Sequence, residues 1–237
     1  MDIFDELKQG KLDKVNKLIQ SKDNVNIVDK YGLSLLMIAS ASGLTDTVRA
    51  LIAAGADVNY SSESGETALY KASQNGYNDI VRALIAAKAN VNKADNYGNT
   101  PIIVAIEMNQ FDTVNVLIKA GANVNHTNNK QQTPLHFASN KYRDDAILKL
   151  LNAGANINSV NKDGETSLYI ASMFGYTDAA STLITAGADI NIKDNSGKTA
   201  FDVAKDDDIK NLFKPCINQN IFSNYYNKLQ KYINKLK

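Results

Sequence analysis

Few side chains in this sequence are equipped for catalysis or metal binding. There are two histidines, His126 and His136, and one cysteine, Cys216. Acid–base, nucleophilic and zinc chemistry all require such groups gathered with a polar partner. No local motif surrounds Cys216, and P-loop, HExxH, paired CxxC and dinucleotide-binding glycine patterns do not occur. A Cys–His dyad assembled by the fold is the remote enzymatic alternative, and removing Cys216, His126 and His136 together would discriminate it. The many Asp and Asn residues recur at a spacing that turns and helix starts explain. The expectation is a chain without catalysis, cofactor or metal.

The totals narrow the class further. With 237 residues, 44% hydrophobic and 22% charged, the chain can bury a sizeable core. A net charge of +1 offers no general attraction for nucleic acid or an anionic membrane. One cysteine makes no internal disulfide. The opening residues Met1-Asp2-Ile3-Phe4-Asp5-Glu6 are acidic where a secretory signal is basic. No run approaches the roughly 18 apolar residues of a membrane span. A soluble, cytoplasmic, monomeric protein is expected, although export by a specialised secretion system would leave no mark here.

The elements that must position any functional residue emerge from self-comparison. Gly32, Gly65, Gly98, Gln131, Gly164 and Gly197 fall 33 residues apart. So do Ala39, Ala72, Ala105, Ala138, Ala171 and Ala204, then Leu51, Leu84, Leu117, Leu150 and Leu183, and Asn59, Asn92, Asn125, Asn158 and Asn191. Within each copy a turn leads to a short apolar helix such as Thr67–Ala72, which ends near Gly43, Gly76 or Gly175 in left-handed geometry. Asp46, Asp79, Asp112 and Asp178 then sit at the start of a second helix, favourable both as caps and against its dipole, and its apolar face includes Val48, Leu51 and Ile52. That helix ends at Gly55, Gly121, Gly154 or Gly187, and a hairpin such as Ala56–Asn59 leads to the next copy.

Thr133-Pro134-Leu135-His136-Phe137-Ala138 resembles the signature of the ankyrin-repeat family, and Gly55–Asn59 and Gly187–Asn191 resemble its hairpin ending. The resemblance implies an all-α solenoid of helix-turn-helix repeats joined by β-hairpin loops. Five full repeats would occupy 29–61, 62–94, 95–127, 128–160 and 161–193. A partial capping repeat would precede them over 1–28, where Gly10, Leu18 and Asn26 keep the register. A partial repeat over 194–213 would supply one more first helix at Ala200–Ala204. The resemblance also gives His136 a structural task, a hydrogen bond tying neighbouring repeats, while His126 reads as an exposed loop residue. The asparagines of the hairpin series have a sufficient role in turns.

Departures from the pattern mark weak points. Lys88, Asn109, Gln131 and Tyr142 stand where other copies carry glycine. A non-glycine residue at positive φ costs about 1 kcal/mol or more, less for Asn. Repeat 4, with two such sites, is expected to be the least stable interior unit.

Ankyrin proteins bind partners along the face made by hairpin tips and first helices. Carried over to this sequence, that face comprises Tyr31, Leu33, Glu66, Tyr97, Asn99, Gln132 and Glu165 at the tips. From the first helices it takes Gln74, Glu107, Met108, Lys141, Met173 and Phe174. Tyr31, Tyr97, Met108, Met173 and Phe174 are the expected anchors. The partner implied is another protein. No basic stripe interleaved with aromatics points to nucleic acid. The functions that fit are an adaptor, scaffold or regulatory binder, with a host-directed effector as the alternative.

Residues 214–237 carry five lysines and no acid. Phe222, Tyr226, Leu229, Ile233 and Leu236 would form one stripe of an amphipathic helix. A cap over the last repeat is the favoured reading. A docking helix and a membrane-surface helix are the alternatives.

Overall fold

The structure, a computed structural model, describes residues 2–21, 23–139 and 144–214. Lys141, Tyr142, Cys216 and the lysine-rich stripe of 215–237 lie outside the described residues.

Helices come in consecutive pairs. They are α1 (Ile3–Lys8) and α2 (Asp13–Ser21), α3 (Leu35–Ala41) and α4 (Thr45–Ala53), α5 (Ala68–Asn75) and α6 (Asn78–Ala86). Then follow α7 (Pro101–Glu107) and α8 (Phe111–Lys119), α9 (Pro134–Ala138) and α10 (Asp144–Asn152), α11 (Ser167–Phe174) and α12 (Thr177–Thr185). A further helix, α13, covers 207–214. First helices α1, α3, α5, α7, α9 and α11 stack in that order, and second helices α4 to α12 stack behind them. A helix pair this short cannot bury its apolar face alone, so one core runs through every repeat from Phe4 to Phe213. Among the described residues there is no strand. The hairpins are closed by turns, with lone bridges at Val28–Ser34, Val160–Thr166 and Lys193–Thr199.

First helices α3 to α11 begin at a hydroxyl residue, and α1 at Asp2. Ser34, Thr67 and Thr166 accept the amides of Met37, Tyr70 and Tyr169 at 3.2, 3.1 and 3.1 Å. Pro101 and Pro134 occupy the first helical position, where a missing N–H costs nothing. Gly76 and Gly175 close α5 and α11 at φ 74° and 79°. Lys88, Asn109 and Gln131 hold the same left-handed geometry without glycine, at φ 68°, 59° and 58°.

Two sequence expectations need correction. Asp46, Asp79, Asp112 and Asp178 are not caps. Each is the second residue of its helix, and the capping positions are Leu44, Tyr77, Gln110 and Tyr176. There the backbone turns at ψ near 65–79°, and no side chain bonds the helix start. The four acids act on the helix dipole alone. Nor is Ala200–Ala204 a helix. It forms a turn in which the Asp202 carboxylate accepts both the amide and the hydroxyl of Thr199 at 2.8 Å. Asp206 then starts α13 by accepting the Ile209 amide at 3.1 Å.

Candidate protein-binding face

The fingers of repeats 1, 3, 4 and 5 are each shaped by one short acceptor at the base, whereas the repeat 2 finger carries Ser62 there, bonded to the Ser64 hydroxyl. Asp29 Oδ1 takes the amides of Tyr31 and Leu33, both at 2.9 Å. Asp95 does the same for Tyr97 and Asn99, Asn128 for Lys130 and Gln132, and Asn161 for Asp163 and Glu165. In this geometry the side chain stands in for a backbone turn and presents the intervening residues outward. Asp194 repeats the pattern at the last finger. The Lys198 amide foremost, then the Tyr169 hydroxyl and Ser196, hold its carboxyl at about 2.

Neighbouring fingers are bonded edge to edge. Asn96, Asn129, Lys162 and Asn195 donate their amides to the carbonyls of Ser64, Tyr97, Lys130 and Asp163 at 2.9–3.1 Å. Three of them add a side-chain rung: Asn96 Nδ2 to Glu63 O, Asn129 Nδ2 to Asn96 O and Asn195 Nδ2 to Lys162 O. The approach is so close that a Cβ on Gly65, Gly98 or Gly164 would lie 2.8 Å from the next finger's backbone nitrogen.

A second ladder runs beneath. Asn59 Nδ2 donates to Lys88 O while Asn59 Oδ1 accepts the Asn90 amide at 2.7 Å, and Asn26, Asn92 and Asn125 make the same pair of bonds. These asparagines therefore bridge repeats in addition to shaping turns.

His136 is buried between repeats 4 and 5. The Thr133 amide donates to Nδ1 at 3.0 Å, so Nε2 carries the proton and donates to the Glu165 carbonyl at 3.1 Å. Burial pulls its pKa down and keeps the ring neutral. Tyr70 and Tyr169 share this register and reach the next finger differently, donating to Asp95 and Asp194 at 3.1 and 2.8 Å. Burial first, and the aspartate second, pushes Tyr169 up to about 12 and raises Tyr70 likewise. Sequence reasoning missed both tyrosines, although their 33-residue register with His136 was available. His126 corrects another expectation. It is half-buried, and its Nε2 lies 2.9 Å from the Gly98 carbonyl, a tie between the two ends of repeat 3.

The expected anchors are solvent-accessible but do not form one patch. Tyr31, Tyr97, Met108 and Phe174 are 60%, 72%, 43% and 51% exposed, and Glu107 is exposed. Leu33, Glu66, Gln74, Asn99, Gln132, Glu165 and Met173 are half-buried. Glu107, Gln132, Glu165, Met173 and Phe174 do converge, around a cleft of about 480 Å³ over repeats 3–5, together with His136, Phe137, Ile170 and Tyr176. The Phe174 ring stacks on Tyr176 with centroids 5.9 Å apart. Tyr31 belongs to a separate N-terminal hollow with Phe4 and Lys8, and the Lys30 ammonium lies 4.9 Å from its ring centroid. Leu33 borders a third, small hollow with Met37 and Lys71. Glu66 is engaged by Lys71 at 2.7 Å, and Asn99 accepts from Asn128 at 3.0 Å. Tyr97, Met108 and Gln74 line none of these three hollows.

Among the described residues, no group of three or more His, Cys, Asp or Glu side chains is placed to hold a metal ion. No described helix is long and apolar enough to cross a membrane.

A family model described as "Ankyrin repeats (3 copies)" matches residues 6–95, 36–128, 89–161 and 121–194, which together span most of the sequence. The chain belongs to the ankyrin-repeat family. Its fold is similar to the solved ankyrin repeat domain of Bcl-3, a member of the IkappaB protein family. The TM-score is 0.81 at 25% identity over 90% of this chain and 98% of that one. It is also similar to the human ASB11 ankyrin repeat domain, with a TM-score of 0.79 at 26% identity over 90% of this chain and 96% of that one. No curated protein sequence matches it. Ankyrin-repeat domains are protein-interaction modules, generally without catalysis of their own.

Proposed function

We propose that this ankyrin-repeat chain is a monomeric, non-catalytic binder, serving as adaptor, scaffold or regulatory subunit, and that its protein partner seats in the cleft over repeats 3–5. The carrying observation is the convergence of Phe174, half in solvent, with Met173, Gln132, Glu107 and Glu165 from three successive repeats. A few aromatic or large apolar anchors ringed by polar groups dominate the energy of protein interfaces. Phe174 lies outside the buried core. Its stacking on Tyr176 holds the ring in place, so little side-chain freedom remains to be lost on binding.

Affinity capture with the full chain tests the assignment. Phe174→Ala combined with Met173→Ala should abolish capture of a partner that the wild type retains, with the melting temperature checked for each protein. Tyr97→Ala combined with Met108→Ala should leave it largely intact. Loss of the partner only in the second variant would move the site to the repeat 3 edge and overturn the cleft assignment.

A further inference from the structure

The bonds between neighbouring fingers start only at the repeat 2 finger. From there on, each following finger donates a main-chain amide to the one before it, from Asn96, Asn129, Lys162 and Asn195. By the same register the Glu63 amide would donate to the Tyr31 carbonyl, and among the described residues that bond is missing. The side-chain rung is missing too, because Glu63 stands where Asn96, Asn129 and Asn195 carry an amide. Tyr70, His136 and Tyr169 tie a first helix to the next finger, whereas Met37 in that register has no polar hydrogen to donate. Ile103 leaves the same gap in repeat 3, but there Asn129 supplies both rungs. The spacing agrees. A Cβ on Gly32 would lie 3.7 Å from the Glu63 nitrogen, against 2.8 Å for the equivalent approach at Gly65, Gly98 and Gly164.

What joins repeats 1 and 2 lies behind the fingers. Asn59 bonds the Lys88 carbonyl and the Asn90 amide, Asn75 Nδ2 donates to the Ala41 carbonyl at 3.4 Å, and the core is continuous. On its other side the repeat 1 finger is fastened to α1, with the Lys8 ammonium 3.0 Å from Asp29. Fingertip bonds resist bending with the greatest leverage because they lie farthest from the stacked helices. A boundary joined only behind the fingers therefore tilts before the others do.

We infer that the repeat 1–2 boundary is a hinge built into the array, about which α1 to α4 and the repeat 1 finger tilt as one block. The fingertip moves most. The tilt carries Lys30 and the exposed Tyr31 towards or away from the rest of the face. It also opens or closes the small hollow that Leu33, Met37 and Ala41 of repeat 1 form with Lys71 of repeat 2. The N-terminal end is thus an adjustable jaw on an otherwise laced array, whichever hollow a partner fills.

Pulsed electron resonance on the full chain, in a Cys216→Ser background, reads the tilt directly. Nitroxides at Tyr31→Cys and Lys130→Cys span three boundaries, the first of them the hinge. Nitroxides at Tyr97→Cys and Ser196→Cys lie the same three repeat lengths apart and span only laced boundaries. The first pair should give the broader distance distribution. Ser62→Asp with Glu63→Asn, which writes the residue types of Asp95 and Asn96 into the repeat 2 finger, should narrow it to the width of the second pair. The converse exchange, Asn128→Ser with Asn129→Glu, should broaden the second pair. Circular dichroism confirms the fold of each variant, and either exchange acting as stated holds the finger ladder responsible. Equal widths in the parent proteins, or a broader second pair, would overturn the hinge. A broader first pair with both exchanges without effect would overturn the missing finger bonds as its origin.

Discussion

Repeats 4 and 5 share one register, one core and one cleft, yet they meet the same geometry with different means. In repeat 5 the left-handed positions are Gly164, Gly175 and Gly187, at φ 79°, 79° and 90°. In repeat 4, Gln131 is held at φ 58°. The first helix of repeat 5, α11, runs eight residues from a Thr166 cap, whereas α9 runs five, Pro134–Ala138. The repeat 5 finger receives a main-chain and a side-chain bond from Asn195, while the repeat 4 finger receives only the main-chain bond from Lys162. Repeat 4 keeps its shape because His136, Asn125 and the shared core bind it to both neighbours. In a solenoid the stability of a unit is largely that of its two interfaces, so local strain in an interior unit is tolerated while those interfaces hold.

The strongest way to break this comparison is to remove core from each repeat in turn. Leu150 and Leu183 occupy equivalent, fully buried positions in α10 and α12. Truncation of either to alanine should cost about 2–5 kcal/mol. Leu150→Ala should divide thermal unfolding into two steps, because the weakest interior unit then separates the array into an N-terminal and a C-terminal block. Leu183→Ala should lower a single transition. Hydrogen exchange of the wild type should show α9 amides exchanging before those of α11. The opposite order, or two steps only in Leu183→Ala, would reverse the ranking of the two repeats.

A second test uses pH. His136 in repeat 4 has a folded pKa below the ordinary 6.5, so the unfolded chain binds that proton more readily. Its contribution to stability is complete above the ordinary value and is lost as pH falls from there through the folded value. Tyr169, at the same register in repeat 5, is raised from 10 to about 12, so its contribution is complete below 10 and is lost as pH rises through about 12. His136→Tyr, which installs the side chain already used at positions 70 and 169, should flatten the fall in melting temperature between about pH 7 and pH 5. An unchanged acid limb in that variant would remove His136 as its cause.

Most of the architecture was legible because it is periodic. The glycine series located the left-handed turns, and it located them even at Lys88, Asn109 and Gln131, where glycine is missing and the backbone is left-handed all the same. What stayed hidden lies between residues far apart in the sequence. Asn59 looked like a turn residue because its partners, Lys88 and Asn90, are about thirty positions away. His126 looked free because its acceptor, the Gly98 carbonyl, stands at the opposite end of the same repeat. The acids Asp46, Asp79, Asp112 and Asp178 were misread as caps because residue type fits either the capping position or the first turn, and only the backbone angle separates the two. At the candidate site, periodicity chose the face but not its division. Tyr31 and Phe174 share that face in the repeat pattern, yet hollows at different ends of the array receive them.

A smaller effect separates the two repeats at the turn itself. Gln131→Gly should stabilise by about 1 kcal/mol by releasing a side chain from positive φ. Gly164→Gln should cost more than that, because its Cβ would meet the Asn195 nitrogen at 2.8 Å in addition to the strain at φ 79°. Equal and opposite shifts in chemical denaturation would mean that the close approach of the repeat 5 finger contributes nothing beyond backbone strain.

The smallest effect lies in the missing rung. Asn96, Asn129 and Asn195 each place a side-chain amide on the carbonyl 33 positions earlier, and Lys162 interrupts the series. Lys162→Asn would bring an amide to the Asn129 carbonyl while keeping the main-chain bond to Lys130. An exposed hydrogen bond of this kind is worth about 0.5 kcal/mol, or roughly 1–2 °C in a chain of this size. The gain should appear as slower amide exchange in the repeat 4 and repeat 5 fingers and nowhere else, since the ladder couples only neighbours. A gain spread evenly over all repeats would mean the array unfolds as one unit, and the difference between repeats 4 and 5 would then have no thermodynamic expression of its own.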